Sequence, residues 1–319
     1  MGNISCLSPK NKNVVSVSGN KLLMNGKPFL AKGLRCSNAL ISERSTNELI
    51  NNLDLYNRYG VNSISVYIMG SRYGDVKGYM KDGNLDSQYA ERLARIIEQA
   101  NQRSMMVLVG CLYWGHSKAK YDEWTQADAE RAIENTALWL KINNYRNVIL
   151  DIDNEGMAHV AKGFDIEKLI KKAKDINQEC PVSYNYFGAP PEVADLGVHF
   201  SDIATEKPYI ESEGVPENAP GGYWNCYSKE RRRENCYMES EYYNYIRIGV
   251  YTDDMKEDQI ARTRKHLDHG RGYMLASTWL QCVPPYGPNY HPGGYGSAEN
   301  PGIRWWLEFL HDVYGPYCP

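Results

Sequence analysis

The chain has 319 residues, with 36 Lys or Arg against 39 Asp or Glu, and a formal net charge of −3. A charge so close to neutrality leaves no electrostatic footprint for nucleic acid, so we expect no nucleic-acid partner. Hydrophobic residues make up 42 % and charged residues 24 %, a composition that excludes wholesale disorder. No run of apolar residues reaches the length of about 18 that a membrane-spanning helix needs, so no membrane partner is expected.

The first residues, 1–13, are polar and lack the apolar run of a signal peptide, so they are predicted to be a flexible segment ahead of a single domain over 14–319. Alternating apolar residues and two turn sequences over 14–33 predict a small β-hairpin. Apolar periodicity then predicts helices over Ser45–Gly60, Asp86–Arg103, Ala127–Asn144, Ile166–Gln178, Met255–His269 and Arg304–Val313, and strands over Phe29–Leu34, Val61–Met69, Met105–Leu112, Val148–Asp153, Val182–Phe187 and Tyr273–Trp279.

This alternation of near-continuously apolar strands with helices predicts parallel strands covered by helices. The number of units that fit the length favours a (β/α)8 TIM barrel with a short N-terminal β-hairpin, and a doubly wound open sheet is the alternative. No G-x-G-x-x-G follows the first strand and no phosphate-binding loop sequence is present, which weakens nucleotide-binding versions of that alternative.

Two long, Tyr-rich segments, 214–254 and 282–303, follow the late strands and are predicted to be loops over the barrel. The chain holds 25 Tyr and 7 Trp but only 5 Phe. Rings with a polar edge suit a surface that is apolar yet wet, such as a cleft that stacks against sugars. Trp224, in the first of these loops, is a candidate for such a contact.

The carboxyl ends of the strands are where a barrel of this type carries its active site. Asn154 and Glu155 directly follow the strand Val148–Asp153. A carboxylic acid there can protonate a leaving oxygen while the neighbouring amide holds a hydroxyl. The alternative for this pair is a helix cap or an ordinary turn. The other strand ends supply further candidates for substrate contact, which are Arg35, Trp114, His116, Tyr186, His199 and Trp279.

A second acid has two candidates, Glu213 and Glu241, each at the end of a short strand-like sequence. Few residues separate His199 from Lys207, and parallel crossovers usually need about a dozen, which favours Glu241. Lys-Pro before the strand and Gly214 after the acid favour Glu213, which is our preferred candidate. His266 and His269 have a spacing of three on a predicted helix, which we interpret as a solvated face, and no metal site is predicted.

Several segments together resemble the clan A glycoside hydrolases, which are retaining enzymes on (β/α)8 barrels. They are Asn25–Gly33 before the first strand, Tyr59–Asn62 before the second, Asn154-Glu155, Lys207–Gly214 and Trp279. Two positions depart from the clan pattern, because Tyr67 ends the second strand where many members have an Arg, and Gly156 stands where Pro is commoner.

The resemblance implies a retaining glycosidase acting on an oligo- or polysaccharide, without a cofactor, and secreted or periplasmic. Glu155 would be the acid/base, kept protonated by the charge of the nucleophile Glu213 or Glu241. Asn154 would hold the sugar 2-hydroxyl, His199 or Tyr186 would contact the nucleophile, and Trp279 would lie under the reacting sugar.

Two other classes compete with this hypothesis. A non-catalytic carbohydrate-binding barrel would keep the cleft without the chemistry, but both acid positions are occupied. A metal-dependent hydrolase would need His-x-His near the first strand, and an aldolase would need a Lys at a strand end. The sequence has neither feature.

Overall fold

The computed structural model describes residues 12–71, 74–114, 120–199, 206–212, 251–276, 294–297, 299–300 and 302–319. The described chain opens with three short antiparallel strands, β1 (Val15–Ser18), β2 (Lys21–Met24) and β3 (Lys27–Pro28). Asn25 and Gly26, which join the last two, both have positive φ angles of 54° and 76°. Those angles are the ones that tight hairpin turns require, and they confirm the predicted hairpin.

The remaining elements follow in chain order. They are β4 (Lys32–Arg35), α1 (Glu43–Arg58), β5 (Ser63–Tyr67), β6 (Met69–Ser71), β7 (Gly74–Lys77), α2 (Ser87–Gln102), β8 (Met106–Leu112), α3 (Gln126–Ile142), β9 (Val148–Asp153), α4 (Met157–Lys162), α5 (Ile166–Ile176), β10 (Val182–Tyr184), β11 (Leu196–Val198), β12 (Tyr209–Glu211), α6 (Asp253–Leu267), β13 (Gly272–Leu275) and α7 (Arg304–Tyr314).

Eight of these strands close into a barrel in the order β4-β5-β8-β9-β10-β11-β12-β13, with β13 pairing back to β4. Every pair in the barrel is parallel, and helices lie between the strands along the chain. The predicted (β/α)8 TIM barrel is therefore confirmed, and the open doubly wound sheet is excluded. β6 and β7 form a separate antiparallel hairpin that the sequence did not reveal.

One argument from the sequence proves wrong. β11 and β12 pair in parallel although only residues 199–208 connect them, so the short connection does not exclude 209–211 from the barrel. Tyr209–Glu211 is the seventh barrel strand. The expectation of about a dozen residues applies to crossovers that carry a full helix, and this connection is shorter.

The helix starts show which sequence signals were read correctly. Asp86 caps α2 by accepting from the backbone N–H groups of Gln88 and Tyr89, as its position before the apolar face predicts. The start of α1 is two residues earlier than expected, because Ser42 is its N-cap and accepts from the backbone N–H of Ser45. Ser45 itself, a predicted cap, is buried inside the first turn.

The apolar core has two parts. The larger part lies between the strands and the surrounding helices. The smaller part fills the amino-terminal end of the barrel, where side chains of the hairpin meet residues from the starts of the barrel strands; its members are Val15, Leu22, Met24, Ala31, Met106, Leu108, Ile149, Leu196, Val198, Ile210 and Met274. This floor closes one end of the barrel, so a substrate can approach only the other end.

The predicted loops over 214–254 and 282–303 lie largely outside the described residues, as does most of the predicted flexible segment 1–13. Among the helices that the structure does describe, none combines the length and the apolar character needed to cross a membrane.

Candidate active site

The end of β9 presents one accessible carboxyl group among buried neighbours. The strand is buried along its whole length, and Asp151, Asp153 and Asn154 are at most 1 % exposed. Glu155, in the single 3-10 turn that follows, is half-buried and so reaches the surface of the barrel mouth. Of the polar groups at this strand end, Glu155 is the one that a substrate can reach.

The backbone of that turn is unusual. Glu155 has φ 54° and ψ 22°, and Gly156 has φ 60° and ψ 23°, so two consecutive residues are left-handed. A side chain in this region costs about 1–2 kcal/mol, and such strain is concentrated at functional sites. A Cβ at position 156 would overlap the ring of Tyr186. This crowding explains why the chain carries Gly156 there, one of its departures from the clan pattern.

Asn154 is held in a single orientation by two donors. Arg35 Nη2 donates to its Oδ1 at 2.7 Å, and the Tyr67 hydroxyl donates to the same oxygen at 3.0 Å. The amide nitrogen therefore faces the other way and donates to Glu155 Oε1 at 3.2 Å. The arrangement turns the N–H side of the fully buried amide toward the accessible carboxyl group, and the same nitrogen lies 3.9 Å from Met157 Sδ.

Arg35, which donates to the Asn154 amide oxygen, lies in an aromatic environment. It is fully buried, and its guanidinium lies 5.3 Å from the ring centre of Tyr67 and 5.6 Å from that of Tyr113. Aromatic faces stabilise a guanidinium that has lost its water. The Tyr67 ring lies over Gly110, where any side chain would overlap it. Arg35, predicted as a substrate contact, is thus placed as a support for Asn154.

A second chain of hydrogen bonds holds the backbone of Glu155. Asn185 Oδ1 accepts from the Glu155 N–H at 3.1 Å, and Asn185 Nδ2 donates to Asp151 Oδ2 at 2.9 Å. The Ser183 hydroxyl donates to the other Asp151 oxygen at 2.7 Å. Burial raises the pKa of Asp151, although these hydrogen bonds and the charges of Arg35 and His199 act in the opposite direction.

Residues of β12 and the end of β11 form a buried hydrogen-bonded group around Glu211. His199 Nδ1 lies 2.8 Å from Glu211 Oε1, and the Tyr209 hydroxyl donates to Glu211 Oε2 at 2.8 Å. Both His199 and Glu211 are 1 % exposed. Glu211 is paired with Tyr273 in the parallel register of β12 and β13, so the two side chains lie on the same face of the sheet. That face is turned toward the layer of helices. The structure therefore places the predicted contact His199 in a buried pair beside the barrel.

His266 departs from its predicted place on a solvated face. It is 1 % exposed, and its ring lies 5.9 Å from those of Tyr209 and Tyr273. The two rings on β12 and β13 enclose it, so α6 turns this histidine inward, whereas His269 follows the end of the helix and is exposed.

Aromatic rings border the mouth on the β10 side. Tyr186 packs on Gly156, 5.5 Å from the ring of His159 and 5.2 Å from that of Phe187. Phe187 is 56 % exposed, an unusual degree for such a side chain. Trp114 lies deeper, 5 % exposed and 5.6 Å from the ring of Phe164.

Five predicted site residues lie outside the described part of the chain; they are His116, Glu213, Trp224, Glu241 and Trp279. Within the described part, no group of three or more His, Cys, Asp or Glu side chains has an arrangement that could hold a metal ion. The structure thus brings together Arg35, Asn154, Glu155 and Tyr186.

Sequence reasoning missed the residues that hold the site in place. Tyr67, Asp151 and Asn185 all stand at strand ends, and position was the only signal that could have found them. Asn185 is 30 residues from the Glu155 that it holds, and Tyr67 is 87 residues from Asn154. No local pattern shows which strand ends will meet.

No protein-family model matches the chain, and no curated protein sequence is significantly similar to it. Solved structures do match its fold. A β-glucanase from Saccharophagus degradans in complex with cellotetraose is 12 % identical, with a TM-score of 0.54, and the match covers 97 % of this chain and 96 % of that one. A glycoside hydrolase family 5 structure from Bacteroides vulgatus is 15 % identical, with a TM-score of 0.57, over 94 % of this chain and 68 % of that one.

A glycoside hydrolase family 5 mannosidase from Rhizomucor miehei is 13 % identical, with a TM-score of 0.55, over 95 % of this chain and 98 % of that one. Family 5 is part of clan A, so these likenesses agree with the resemblance carried by the sequence motifs. At such low identity they establish the architecture alone. The chain has the barrel fold of the family 5 glycoside hydrolases.

Proposed function

We propose that the chain is a retaining glycoside hydrolase that cleaves O-glycosidic bonds of an oligo- or polysaccharide by double displacement. Glu155 is the acid/base in this proposal. Glu213 is the preferred nucleophile, and Glu241 is the alternative. The observation that carries the proposal is the accessible Glu155 carboxyl on a left-handed turn, with the oriented amide of Asn154 beside it.

In the first step the nucleophile attacks the anomeric carbon as the bond to the leaving oxygen breaks. Glu155 gives its proton to that oxygen, so the leaving sugar departs as a neutral alcohol. In the second step Glu155 removes a proton from water, and the resulting oxygen displaces the nucleophile from the same carbon. The product keeps the configuration of the substrate.

The geometry around Glu155 suits these roles. Arg35 and Tyr67 orient the Asn154 amide so that its nitrogen lies on the side of the Glu155 carboxyl, and in this proposal it donates to a sugar 2-hydroxyl when a substrate is bound there. Retention requires the two carboxyl groups to be about 5–5.5 Å apart, against about 6.5–9.5 Å for inversion. We expect this shorter separation between Glu155 and the nucleophile.

The substrate class follows from the mouth and from the structural neighbours. The exposed ring of Phe187 and the half-buried ring of Tyr186 beside it suit the apolar faces of sugars. The fold neighbours include a β-glucanase that binds cellotetraose and a mannosidase. Trp114, His116, Trp224 and Trp279 remain proposed substrate contacts. His199 is buried and lies 2.8 Å from Glu211.

The proposal is tested by hydrolysis of cellotetraose, mannotetraose and soluble β-glucan and mannan. We expect reducing ends to be released, and proton NMR to show the retained anomer first. Glu155→Gln should lower kcat/KM by about 10²–10⁴-fold, the usual contribution of a general acid. Glu167→Gln, on an exposed face of α5, is the matched control and should leave activity unchanged. Full activity in Glu155→Gln would refute the assignment.

Azide separates the two carboxylate roles. In Glu155→Ala, azide can replace water in the second step and should give a glycosyl azide of retained configuration. In the Ala variant of the true nucleophile, azide attacks directly and the configuration is inverted. Whichever of Glu213→Ala and Glu241→Ala gives the glycosyl azide of inverted configuration identifies the nucleophile. Saturable sugar binding without any hydrolysis would instead support the non-catalytic carbohydrate-binding barrel.

A further inference from the structure

Asp153, the last residue of β9, is a buried carboxyl group with an unusual pair of partners. It is 1 % exposed. Its Oδ1 accepts from the backbone N–H of Ala158 at 2.9 Å, and its Oδ2 accepts from that of His159 at 2.9 Å. The formal N-cap of α4 is Gly156, which has no side chain to offer. Asp153 therefore caps the helix from three residues before its N-cap.

The bridge from Asp153 to α4 spans the turn that carries Glu155. Between Asp153 and Ala158 lie Asn154, Glu155, Gly156 and Met157, and of these Glu155 and Gly156 are in the left-handed conformation. A relaxed backbone would let Glu155 return to the ordinary helical region and would redirect its side chain. The two hydrogen bonds of Asp153 fix the far end of the turn, and Asn185 fixes the Glu155 N–H from the side.

Capping alone does not account for this buried carboxyl. The neighbouring helix α5 is capped by Asp165, which is exposed and accepts from the backbone N–H of Lys168 at 3.0 Å. Burial, together with the charges of Asp151 and Glu155, raises the pKa of Asp153 to about 8, although its two backbone hydrogen bonds act in the opposite direction. An exposed cap such as Asp165 accepts a backbone hydrogen bond without that desolvation.

We infer that Asp153 is a positioning residue for the acid/base, which holds the left-handed turn so that the Glu155 carboxyl points at the leaving oxygen. This inference rests on the proposed function. It assigns Asp153 no contact with the substrate. Loss of Asp153 should impair proton donation by Glu155 more than it impairs sugar binding.

Leaving groups of different acidity test the inference. The probes are 2,4-dinitrophenyl and phenyl β-glycosides of one disaccharide, cellobiose or mannobiose, whichever the wild type cleaves. Dinitrophenolate leaves without a proton, whereas phenolate needs the acid. Asp153→Asn should lower kcat/KM for the phenyl glycoside by about tenfold or more and change that for the dinitrophenyl glycoside by less than about twofold. Asp165→Asn, the matched control cap, should change neither.

The other outcomes are equally informative. Equal losses on both glycosides, or no loss on either, overturn the positioning role of Asp153 while Glu155→Gln still reports on the proposed function. Cleavage of neither glycoside nor any oligosaccharide by the wild type refutes the proposed function, and this inference with it. If Asp153→Asn does not fold, Asp153→Ser, which keeps one acceptor in a smaller side chain, carries the same expectation.

Discussion

Two glutamates stand at the carboxyl ends of β9 and β12, which β10 and β11 separate in the barrel, and their settings differ in exposure, backbone conformation and hydrogen bonding. Glu155 is half-buried on a left-handed turn, and one oxygen of its carboxyl accepts from the oriented amide of Asn154. Glu211 lies on a regular strand, is 1 % exposed, and accepts from partners on both oxygens. The first arrangement leaves a carboxyl accessible on a strained backbone, as the proposed acid/base role requires. The second uses the same functional group to hold strands together.

The strongest test of this contrast is Glu211→Ala. Its removal leaves His199 and the Tyr209 hydroxyl buried without their partner, and breaking such a buried pair costs about 3–5 kcal/mol in the free energy of unfolding. Urea denaturation measures the loss. Glu179→Ala removes an exposed partner of Arg146 and should change stability by less than about 0.5 kcal/mol. A wild-type stability with lost activity in Glu211→Ala would reverse the assignment of roles.

Gly156→Ala addresses the strained turn directly. The added methyl group meets the Tyr186 ring and sits on a left-handed backbone, so we expect a loss of about 2–4 kcal/mol in stability and a fall in kcat. Adding Tyr186→Ala should restore part of the stability, because it removes the overlap. If both single variants and the double variant are simply additive, the crowding is not the reason for glycine.

The pH dependence of stability sharpens the comparison further. Burial raises the pKa of Asp153 from an ordinary value of 3.8 to about 8. The folded chain therefore keeps a proton that the unfolded chain releases, and stability should fall as the pH rises from about 4 through about 8. One such group gives a slope of at most about 1.4 kcal/mol per pH unit. Asp153→Asn should flatten the slope in urea denaturation, and Asp151 should preserve part of it.

The smallest expected effect concerns Phe187. If its exposed ring stacks on a sugar, Phe187→Ala loses about 1 kcal/mol of binding, which is a few-fold rise in KM for tetrasaccharides with kcat unchanged. Ile142→Ala, 73 % exposed on α3, is the control and should have no effect. An unchanged KM on every chain length would remove Phe187 from the substrate path.

The architecture was largely readable from the sequence, since it depends on local periodicity. The strand Val148–Asp153 has the predicted bounds, and α2 begins one residue after its predicted start at Asp86. The hairpin of β6 and β7 escaped notice because its short strands contain glycines and lack alternating apolar residues. For β12 the sequence signals conflict, because the connection length argues against this strand whereas Lys-Pro before it and Gly214 after it favour it, and the connection is shorter than the rule about crossovers expects.

The site was only partly readable. Glu155 stood out because it directly follows a strand, and its neighbour Asn154 supported it. Its supports come from other strands: Arg35 is 119 residues from Asn154, and the two meet only when the barrel closes. The pairing of His199 with Glu211 cannot be predicted from strand position alone, because it depends on the register that turns Glu211 toward the helices.

The hairpin at the amino-terminal end has a practical consequence for handling the protein. Asn13 donates to Asn101 through both its backbone and its side chain, and the Val15 N–H donates to the Arg146 carbonyl at 2.8 Å. The chain is thus anchored at the floor, opposite the strand ends that carry Glu155. An affinity tag or a solid support attached ahead of Asn13 would emerge on the far side, so immobilised protein should keep its mouth open to bulky polymers.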